Sequence, residues 1–300
     1  MKRVISISLG SSKRDHVAEV ELLGETFHVE RRGTDGDSRR AEELIRELDG
    51  KVDAFGLGGT DLYLVAGKRR YVIRDSANLV RAARRTPIVD GSGLKDTLER
   101  KTVEYLEQEW GMSLADKRVL VVSAVDRFGL AEALAATRAK MFFGDLIFSL
   151  GIPIPITSLA TLRFLAWLML PVICRIPFKY IYPTGSKQEE IIPRYEKYYL
   201  AADVIAGDFH YIRRHLPPEL PGKIIITNTV TGDDVELLRA RGVKTLVTTT
   251  PEFSGRSFGT NVLEAMLVAY LGRRPDEIAP DAYHQLLETL GFAPRVEVLN

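Results

Sequence analysis

Carboxylates and glycines stand together after two apolar runs in the first hundred residues. Gly58-Gly59-Thr60-Asp61 follows the run Val52–Leu57, and Asp90–Gly93 follows a second short extended run. Glycine at a strand end lets a ligand approach the backbone closely, and a carboxylate there can orient a hydroxyl group or transfer a proton. We therefore predict Asp90 and Asp61 as catalytic residues. The alternative is that Asp90 opens a turn and caps the next helix.

Further side chains complete this candidate site. Lys68 and Lys95 are the nearest lysines that could donate a proton, and we predict Lys68 for this role, although a hairpin tip also suits a solvated lysine. Arg256 and Ser257 could hold a carboxylate or phosphate, unless this segment only leads into a helix capped by Thr260. The predicted substrate-binding residues are Gly59, Thr60, Ser92, Arg256, Ser257 and Asn261.

A second candidate site is the turn from Ser123 to Ala131, which follows an apolar strand and precedes a helix. Gly129 alone remains of the GxGxxG pattern of dinucleotide-binding turns, because Ser123 and Val125 stand where the first two glycines would be. The helix N-terminus still offers N–H donors to a phosphate, whereas Asp126 would repel one. We predict NAD or NADP as the cofactor of this turn, and a crevice with a different ligand or none is the alternative.

Other groups that suit an anionic cofactor follow later predicted strands. Thr184-Gly185-Ser186-Lys187 offers two hydroxyl groups and an ammonium group, although a capped helix start explains the same residues equally well. Asp208 and His210 follow the fourth strand of the same sheet, where a capping role is the alternative for His210. The predicted cofactor-binding residues are Ser123, Val125, Asp126, Gly129, Thr184, Gly185, Ser186, Lys187, Asp208 and His210.

Metal and thiol chemistry receive no support from the sequence. The five histidines are scattered without an HxxxH or HExxH spacing, so we predict no metal site. The one cysteine, Cys174, lies in an apolar run and is expected to be a buried, inert thiol. A single cysteine excludes an internal disulfide and suits a reducing compartment.

The elements that must position these residues alternate between strands and helices. From Arg118 onward, six apolar segments predict strands: Arg118–Ala124, Asp145–Gly151, Lys179–Thr184, Asp203–Asp208, Lys223–Val230 and Lys244–Thr250. Strands that are apolar throughout are typical of a parallel sheet covered by helices on both faces. The sequence therefore predicts an α/β protein with a Rossmann-like doubly wound parallel sheet and a smaller N-terminal α/β domain.

We expect three parts along the chain. Residues 1–110 form the substrate-binding domain, residues 111–255 the nucleotide-binding domain, and residues 256–300 helices that return to the first domain. Forty-one basic and forty acidic residues nearly cancel, which argues against nucleic acid as a partner. The apolar run Phe164–Ile176 is too short to span a bilayer and is a candidate homodimer contact. We expect a cytoplasmic protein that acts on a small molecule.

The segment IVDGSGL, a following helix and then KRVLVVSA together resemble the shikimate/quinate dehydrogenase family. In that family an NTDGxG-type segment ends the substrate domain, and the helix SFGTNVLEAMLVAYLG looks like its closing helix. The resemblance implies an NAD(P)-dependent dehydrogenase in which Asp90 is the catalytic aspartate. This chain departs from the family pattern in two places, since Asp61 stands where the catalytic lysine is expected and SAVDRFG replaces the glycine-rich turn.

The leading hypothesis is therefore an NAD(P)-dependent oxidoreductase, similar to quinate/shikimate dehydrogenases, that acts on a small hydroxy acid or polyol between two domains. One alternative is a non-redox transferase or lyase that binds a phosphorylated small molecule. Another is a ligand sensor without chemistry, which the altered dinucleotide turn favours. The dehydrogenase hypothesis requires Asp90 and the turn after Val122 to open onto one shared cavity, whereas the transferase or lyase would hold its phosphorylated substrate with TGSKQ and GRSFGTN.

Overall fold

The protein contains two parallel sheets, each with its own hydrophobic core. The structure is a computed structural model that describes residues 1–67, 69–177, 190–250, 252–253, 256–257 and 259–300. Its strands are β1 (Lys2–Ser8), β2 (His16–Leu22), β3 (Glu25–Gly33), β4 (Ala54–Gly58), β5 (Tyr63–Ala66), β6 (Arg69–Val72), β7 (Ile88–Val89), β8 (Arg118–Val121), β9 (Lys140–Phe143), β10 (Val204–Ala206), β11 (Ile224–Thr227), β12 (Thr245–Thr248), β13 (Glu252–Phe253), β14 (Arg256–Ser257) and β15 (Arg295–Val298).

The helices connect these strands and cover both sheets. They are α1 (Ser38–Leu48), α2 (Arg74–Val80), α3 (Ser92–Gln108), α4 (Phe128–Ala136), α5 (Leu159–Ile173), α6 (Glu196–Ala201), α7 (Phe209–Arg214), α8 (Gly232–Ala240), α9 (Thr260–Leu271) and α10 (Pro280–Thr289). Short 3-10 turns lie at Ser12–Arg14 and Pro275–Glu277, and a π-helical turn lies at Asp145–Ser149. Within the described residues, no helix combines the length and the apolar character that crossing a membrane requires.

The first sheet has the order β2-β3-β1-β4-β7 and is parallel except for the β2–β3 hairpin. Alternate side chains of β1 point to opposite faces. Ile5 and Ile7 pack with α1, whereas Val4 packs with α9 and α10. Because both faces are covered, the strands need no polar face, which explains their apolar sequences.

The second sheet has the order β15-β12-β11-β10-β8-β9, in which only β15 at the edge is antiparallel. Val119 and Val121 pack on the side of α4 and α5, while Leu120 packs on the opposite side with α6, α7 and α8. β8 lies between β9 and β10, so the strand order reverses at β8 and β10. In an open α/β sheet, such a reversal opens a crevice at the carboxyl ends of the strands.

The predicted α/β class with parallel sheets is confirmed, although one predicted strand is wrong. Asp145–Gly151 does not form a strand, because the strand that pairs with β8 is Lys140–Phe143 and Asp145–Ser149 is a π-helical turn. The predicted strand Lys179–Thr184 lies outside the described residues. β15, which we did not predict, adds the chain end to the second sheet.

Helix α9 is the element that closes the first domain. It is buried from Val262 to Ala269 and packs against β1 and β4. A helix that is apolar on all sides is expected only where it is enclosed by other elements. Here the first sheet, α3 and α10 enclose it.

We predict that Leu267→Ala destabilises the protein by about 2–5 kcal/mol, because Leu267 is fully buried and its truncation leaves a cavity. Urea unfolding followed by circular dichroism measures the change. The matched control is Leu200→Ala, whose side chain is 47% exposed and whose cost should stay below about 1 kcal/mol. Equal costs at the two positions would contradict the enclosed position of α9.

Candidate functional site

A cleft of about 1090 Å³ lies between the two sheets. The carboxyl ends of β1, β4 and β7 contribute one wall through residues such as Gly10, Asp61 and Asp90. The carboxyl ends of β8, β10 and β11 contribute the other wall, through Asp126 and Asp208 among others. The cleft thus joins the edges of two parallel sheets at which α/β proteins place their ligands. Asp90 and the turn after Val122, through Asp126 and Arg127, share this one cavity, as the dehydrogenase hypothesis requires.

A buried arginine fixes the floor of the cleft. The Arg127 side chain is 7% exposed and donates hydrogen bonds to Glu99 at 3.0 Å and to Asp208 at 2.8 Å. Glu99, on α3, also accepts a hydrogen bond from the backbone N–H of Leu130. Asp208 accepts a further one from the Asn228 amide. Although burial opposes it, the Arg127 guanidinium lowers the pKa of Asp208 to about 2. These short, charge-assisted contacts clamp α3, α4 and the end of β10 together.

A second group of charges in the cleft is held more loosely. Lys95 Nζ lies 3.5 Å from Asp61 and 3.3 Å from Asp126, and Arg127 Nε lies 3.4 Å from Asp126. Typical hydrogen bonds between ammonium or guanidinium groups and carboxylates are about 2.7–2.9 Å long. The loose group joins the two domains, since Asp61 follows β4 and Asp126 follows β8.

Asp61 is the most perturbed acid of the loose group. Burial raises its pKa well above the ordinary value, and the neighbouring carboxylates of Asp126 and Asp90 raise it further, against the opposing charge of Lys95. Two carboxyl groups that face each other cannot both ionise easily. For Lys95, burial and Arg127 lower the pKa, but Asp126, Asp61 and Glu99 outweigh them and raise it. An aspartate with a raised pKa and a lysine with a raised pKa are therefore adjacent at the cleft.

Asp90 has a structural role in this conformation. Its Oδ1 accepts hydrogen bonds from the backbone N–H and the hydroxyl group of Ser92, and its Oδ2 accepts one from the N–H of Leu62. This is the turn that the sequence left as the alternative, although the N-cap residue of α3 is Gly91 rather than Asp90. Asp90 lines the cleft, whereas Ser92, predicted to bind substrate, lines a separate cavity.

The turn after β8 does not fit a pyrophosphate. The N–H groups of Ala124 and Val125 already donate to the carboxylate of Asp145, at 3.2 and 2.9 Å. The N–H of Leu130, at the start of α4, donates to Glu99. Three backbone donors of this turn are thus satisfied by two of the protein's own carboxylates.

Three of the predicted cofactor-binding residues on this turn do not line the cleft. Ser123 and Val125 do not line it. Gly129 does not line it either, because it packs on α3, where a Cβ would collide with Asp96. Gly129 is required for helix packing rather than for approach to a phosphate. Asp126 does line the cleft, and its carboxylate faces Lys95.

The glycines at the other strand ends make room for α9. A Cβ at Gly56 or Gly91 would lie within 3.0 Å of Asn261. Asn261 itself donates a hydrogen bond to Ser6 Oγ at 2.8 Å. These close approaches dock the first turn of α9 beside the cleft, whereas the sequence interpretation assigned such glycines to ligand approach.

Five of the remaining predicted residues border the cleft. Gly59, Thr60, Asp208, His210 and Asn261 line it, and Thr60 is hydrogen-bonded to Ser76 at 2.6 Å. His210 Nε2 lies 3.4 Å from the Arg14 guanidinium of the first domain. Lys68, Thr184, Gly185, Ser186, Lys187 and the side chains of Arg256 and Ser257 lie outside the described residues.

Four charged residues of the site were not among the predicted site residues. Lys95 was considered only as a nearby proton donor, and Arg127, Glu99 and Asp145 were not considered. Glu99 could have been recognised from the sequence, because a charged residue on the buried side of a helix needs a partner. It lies on the buried side of α3 beside Leu98 and Thr102. Within the part of the chain that the structure describes, no group of three or more potential ligand side chains could hold a metal ion.

We predict that Arg127→Met destabilises the fold by about 3–5 kcal/mol, because it leaves the carboxylates of Glu99 and Asp208 buried without a counter-charge. Urea unfolding checks this. The control is Arg100→Met, which removes a 45% exposed arginine paired with Asp96 and Glu132 and should cost less than about 1 kcal/mol. A small effect at Arg127 would show that the clamp is dispensable.

We predict that Asp145→Asn removes a pH dependence of stability between about pH 4 and pH 6. Burial raises the pKa of Asp145 to about 6, so the folded state binds this proton more tightly than the unfolded state. The resulting stability is complete below the ordinary pKa and is lost as the pH rises through 6. The free energy of unfolding of the variant should therefore rise relative to the parent by about 2–3 kcal/mol over this range.

Chemical unfolding at several pH values measures this difference. Asp116→Asn, at a side chain that is 87% exposed, should show no such change relative to the parent. A constant difference between Asp145→Asn and the parent would mean that Asp145 is not perturbed.

Comparisons with solved structures give only distant similarities. The L-tryptophan dehydrogenase from Nostoc punctiforme is 12% identical with a TM-score of 0.38, covering 96% of this chain and 80% of its own. A galactofuranose binding protein is 12% identical with a TM-score of 0.34, covering 96% and 98%. The NAD-dependent malic enzyme from Thermotoga maritima is 10% identical with a TM-score of 0.33, covering 84% and 66%. Scores this low carry no argument about function.

Comparisons of sequence are more specific about the family. No curated protein matches the chain. A family model described as Domain of unknown function (DUF8753) matches residues 3–90. A second model, described as Domain of unknown function (DUF8754), matches residues 93–299, and the chain therefore belongs to the DUF8754 family.

Proposed function

We propose that this protein binds a small hydroxylated anion, such as a hydroxy acid or a phosphorylated polyol, in the interdomain cleft and transfers a proton to or from it. The observation that carries the proposal is the position of Lys95, 3.3–3.5 Å from carboxylates that come from both domains. The ligand would lie against these groups, with its hydroxyl or carbonyl oxygen beside Lys95 and Asp61.

The two groups of charges in the cleft support different roles. Buried ions cost free energy that only short, well-directed contacts recover. Such contacts join Arg127 to Glu99 and to Asp208, and they help to hold the domains together. Asp61, Lys95 and Asp126 remain at longer distances and line the cleft. Catalytic hydrogen bonds are often long without ligand and shorten when the substrate binds.

Asp61 and Lys95 have complementary chemistry for proton transfer. The raised pKa of Asp61 keeps this carboxyl protonated nearer neutral pH than an ordinary aspartate, so Asp61 is the proton donor that we propose. Lys95 remains an ammonium group and stabilises negative charge that develops on the ligand oxygen. Asp126 fixes the position of Lys95 from the opposite domain.

The anionic end of the ligand is assigned to the turn after β1. Lys13 and Arg14 line the cleft there. Among the described residues neither has a carboxylate within 4.0 Å of its side chain, and the Arg14 guanidinium contacts only the neutral acceptor of His210. The deep end of the cleft is rich in carboxylates instead. This separation of charge suits a ligand that has one anionic end and a hydroxylated body.

The second candidate is the NAD(P)-dependent oxidoreductase that the sequence predicts. The cleft volume of about 1090 Å³ favours it. Pockets for drug-sized ligands are about 300–1,000 Å³, so the cleft has room for a ligand at or above the upper end of that range, such as a dinucleotide. The satisfied amides after β8 oppose it. A specificity for quinate or shikimate stays a prediction, and both oxygens of Asp90 are already engaged by Leu62 and Ser92.

A ligand panel tests both candidates. Thermal unfolding of the full chain is followed with hydroxy acids, polyols and sugar phosphates, and separately with NAD, NADH, NADP and NADPH. We expect a hydroxylated anion to raise the unfolding temperature, since a ligand at about 100 times its Kd stabilises by about 2.7 kcal/mol. The Kd of the best ligand is then measured by calorimetry.

Two variants on one helix make the test specific. Lys95→Met should weaken binding of that ligand at least about tenfold, which corresponds to about 1.4 kcal/mol. Lys101→Met is the matched control, because Lys101 lies on the same helix and pairs with Glu288 outside the cleft. Equal affinities of the two variants would refute the proposal. Binding of a nicotinamide dinucleotide alone would favour the second candidate.

A further inference from the structure

A second cavity of about 460 Å³ lies in the first domain. Its walls include the apolar side chains of Val80, Ala83 and Ile88 from the α2–β7 region. Tyr283 and Ile278, near the chain end, form part of the opposite wall. It shares only Asp90 with the interdomain cleft, so a ligand in this cavity would occupy a different site from the one proposed above.

Glu264 on α9 lines this cavity and is 3% exposed. Its Oε1 accepts a hydrogen bond from the Tyr283 hydroxyl at 3.2 Å. Its Oε2 is buried and has no hydrogen-bond partner among the described residues. An unsatisfied buried oxygen of this kind is rare in folded proteins and needs a partner to offset its desolvation. Gly93 lies so close to Oε1 that a Cβ there would collide with it.

The Glu264 carboxyl group is suited to both donate and accept hydrogen bonds. Burial raises its pKa to about 8, and the negative charge of Asp90 raises it further, against the Tyr283 hydroxyl and the N–H groups of Gly91 and Gly93. At neutral pH the group is therefore mainly a neutral acid. A neutral carboxyl group offers one donor and at least one acceptor to a ligand.

The mouth of the cavity is strongly basic. Arg70, Arg84, Arg85 and Arg274 line it. Among the described residues none of the four guanidinium groups has a carboxylate within 4.0 Å, and the Arg70 guanidinium lies over the Tyr63 ring at 5.6 Å. The nearby carboxylates of Asp49 and Glu277 accept hydrogen bonds from the backbone N–H groups of Arg84, Arg85 and Arg274 instead. The acidic residues that line the cavity are Asp90, Glu264 and Asp276, and both oxygens of Asp90 are already engaged by Leu62 and Ser92. Four guanidinium groups suit the double charge of a phosphate better than the single charge of a carboxylate.

We propose that this cavity binds a small organic phosphate, whose phosphate group contacts the four arginines and whose polar body hydrogen-bonds to Glu264. The apolar walls leave room for a body between these two ends. A nucleoside monophosphate or a sugar phosphate has this form. Inorganic phosphate has the charge but no body, and it serves as the comparison ligand.

Calorimetry on the full chain at pH 7 tests the site with adenosine 5′-monophosphate, ribose 5-phosphate and inorganic phosphate. We expect one of the two esters to bind with one site per chain and at least about tenfold more tightly than inorganic phosphate. The double variant Arg84→Gln/Arg85→Gln should lose at least about tenfold in affinity. Both side chains are exposed, so these substitutions should leave the fold intact.

The control is Arg81→Gln, an exposed arginine on the same segment that contacts Asn78 and does not line the cavity. It should bind as the parent does. Equal affinity of Arg81→Gln and the double variant, or no binding of either ester, would overturn the proposal. Loss of binding in Lys13→Gln would place the phosphate in the interdomain cleft and would also overturn it.

The pH dependence tests the role of Glu264 separately. Above pH 7 the charge of a phosphate monoester is nearly constant, so a fall in affinity above about pH 8 reports the ionisation of Glu264. Asp90 and Tyr283 are the other titratable groups that face it. Glu264→Gln should retain binding at pH 7 and lose this fall. The same fall in the variant would refute the contact with Glu264.

Discussion

The buried guanidinium of Arg127 is the constraint on which the rest of the structure depends. It donates to Glu99 of α3 and to Asp208 after β10, and its own helix follows β8. One side chain thereby sets the distance between the connecting helix and the reversal point of the second sheet. Glu99 also accepts from the amide of Leu130, so the beginning of α4 is fixed by the same contacts. A lysine could not replace this arginine, because the contacts diverge from one planar group.

This clamp explains why the remaining charges can stay loosely arranged. Once α3 is fixed, Lys95 is held one helical turn before Glu99 and faces the carboxylates of both domains. Lys95, Asp61 and Asp126 need not contribute to stability, so their geometry is free to suit a ligand. The altered dinucleotide turn fits the same account, because Asp145 and Glu99 satisfy its amides from within. These carboxylates occupy the side of the turn on which a phosphate would meet the amides.

The sequence predicted the elements better than their contacts. Strands such as Lys223–Val230 were recognisable because they are apolar on both faces. Asp145 was assigned to a strand because the apolar residues of β9 are followed closely by those of the π-helical turn. Hydrophobicity alone does not show which of the two apolar segments is the strand. The contact between Glu99 and Arg127 joins residues 28 positions apart, and no local pattern encodes such a pairing. The glycines were recognised as tight positions, but Gly56 and Gly91 face Asn261, which lies 205 and 170 positions further along the chain, rather than a ligand.

The path of the chain between the sheets has a further consequence. The backbone leaves the first sheet through α3, builds most of the second sheet, returns with α9 and α10, and ends as β15 on the second sheet again. The division at residues 90 and 93 that the two family models share therefore does not separate two autonomous units. A fragment that stops there lacks α9 and α10, which cover Val4 and Ala54. Each half of the chain therefore contributes elements to the other half's packing. Such a molecule is expected to fold as one piece, because the core of the first sheet is completed by helices from the last part of the chain.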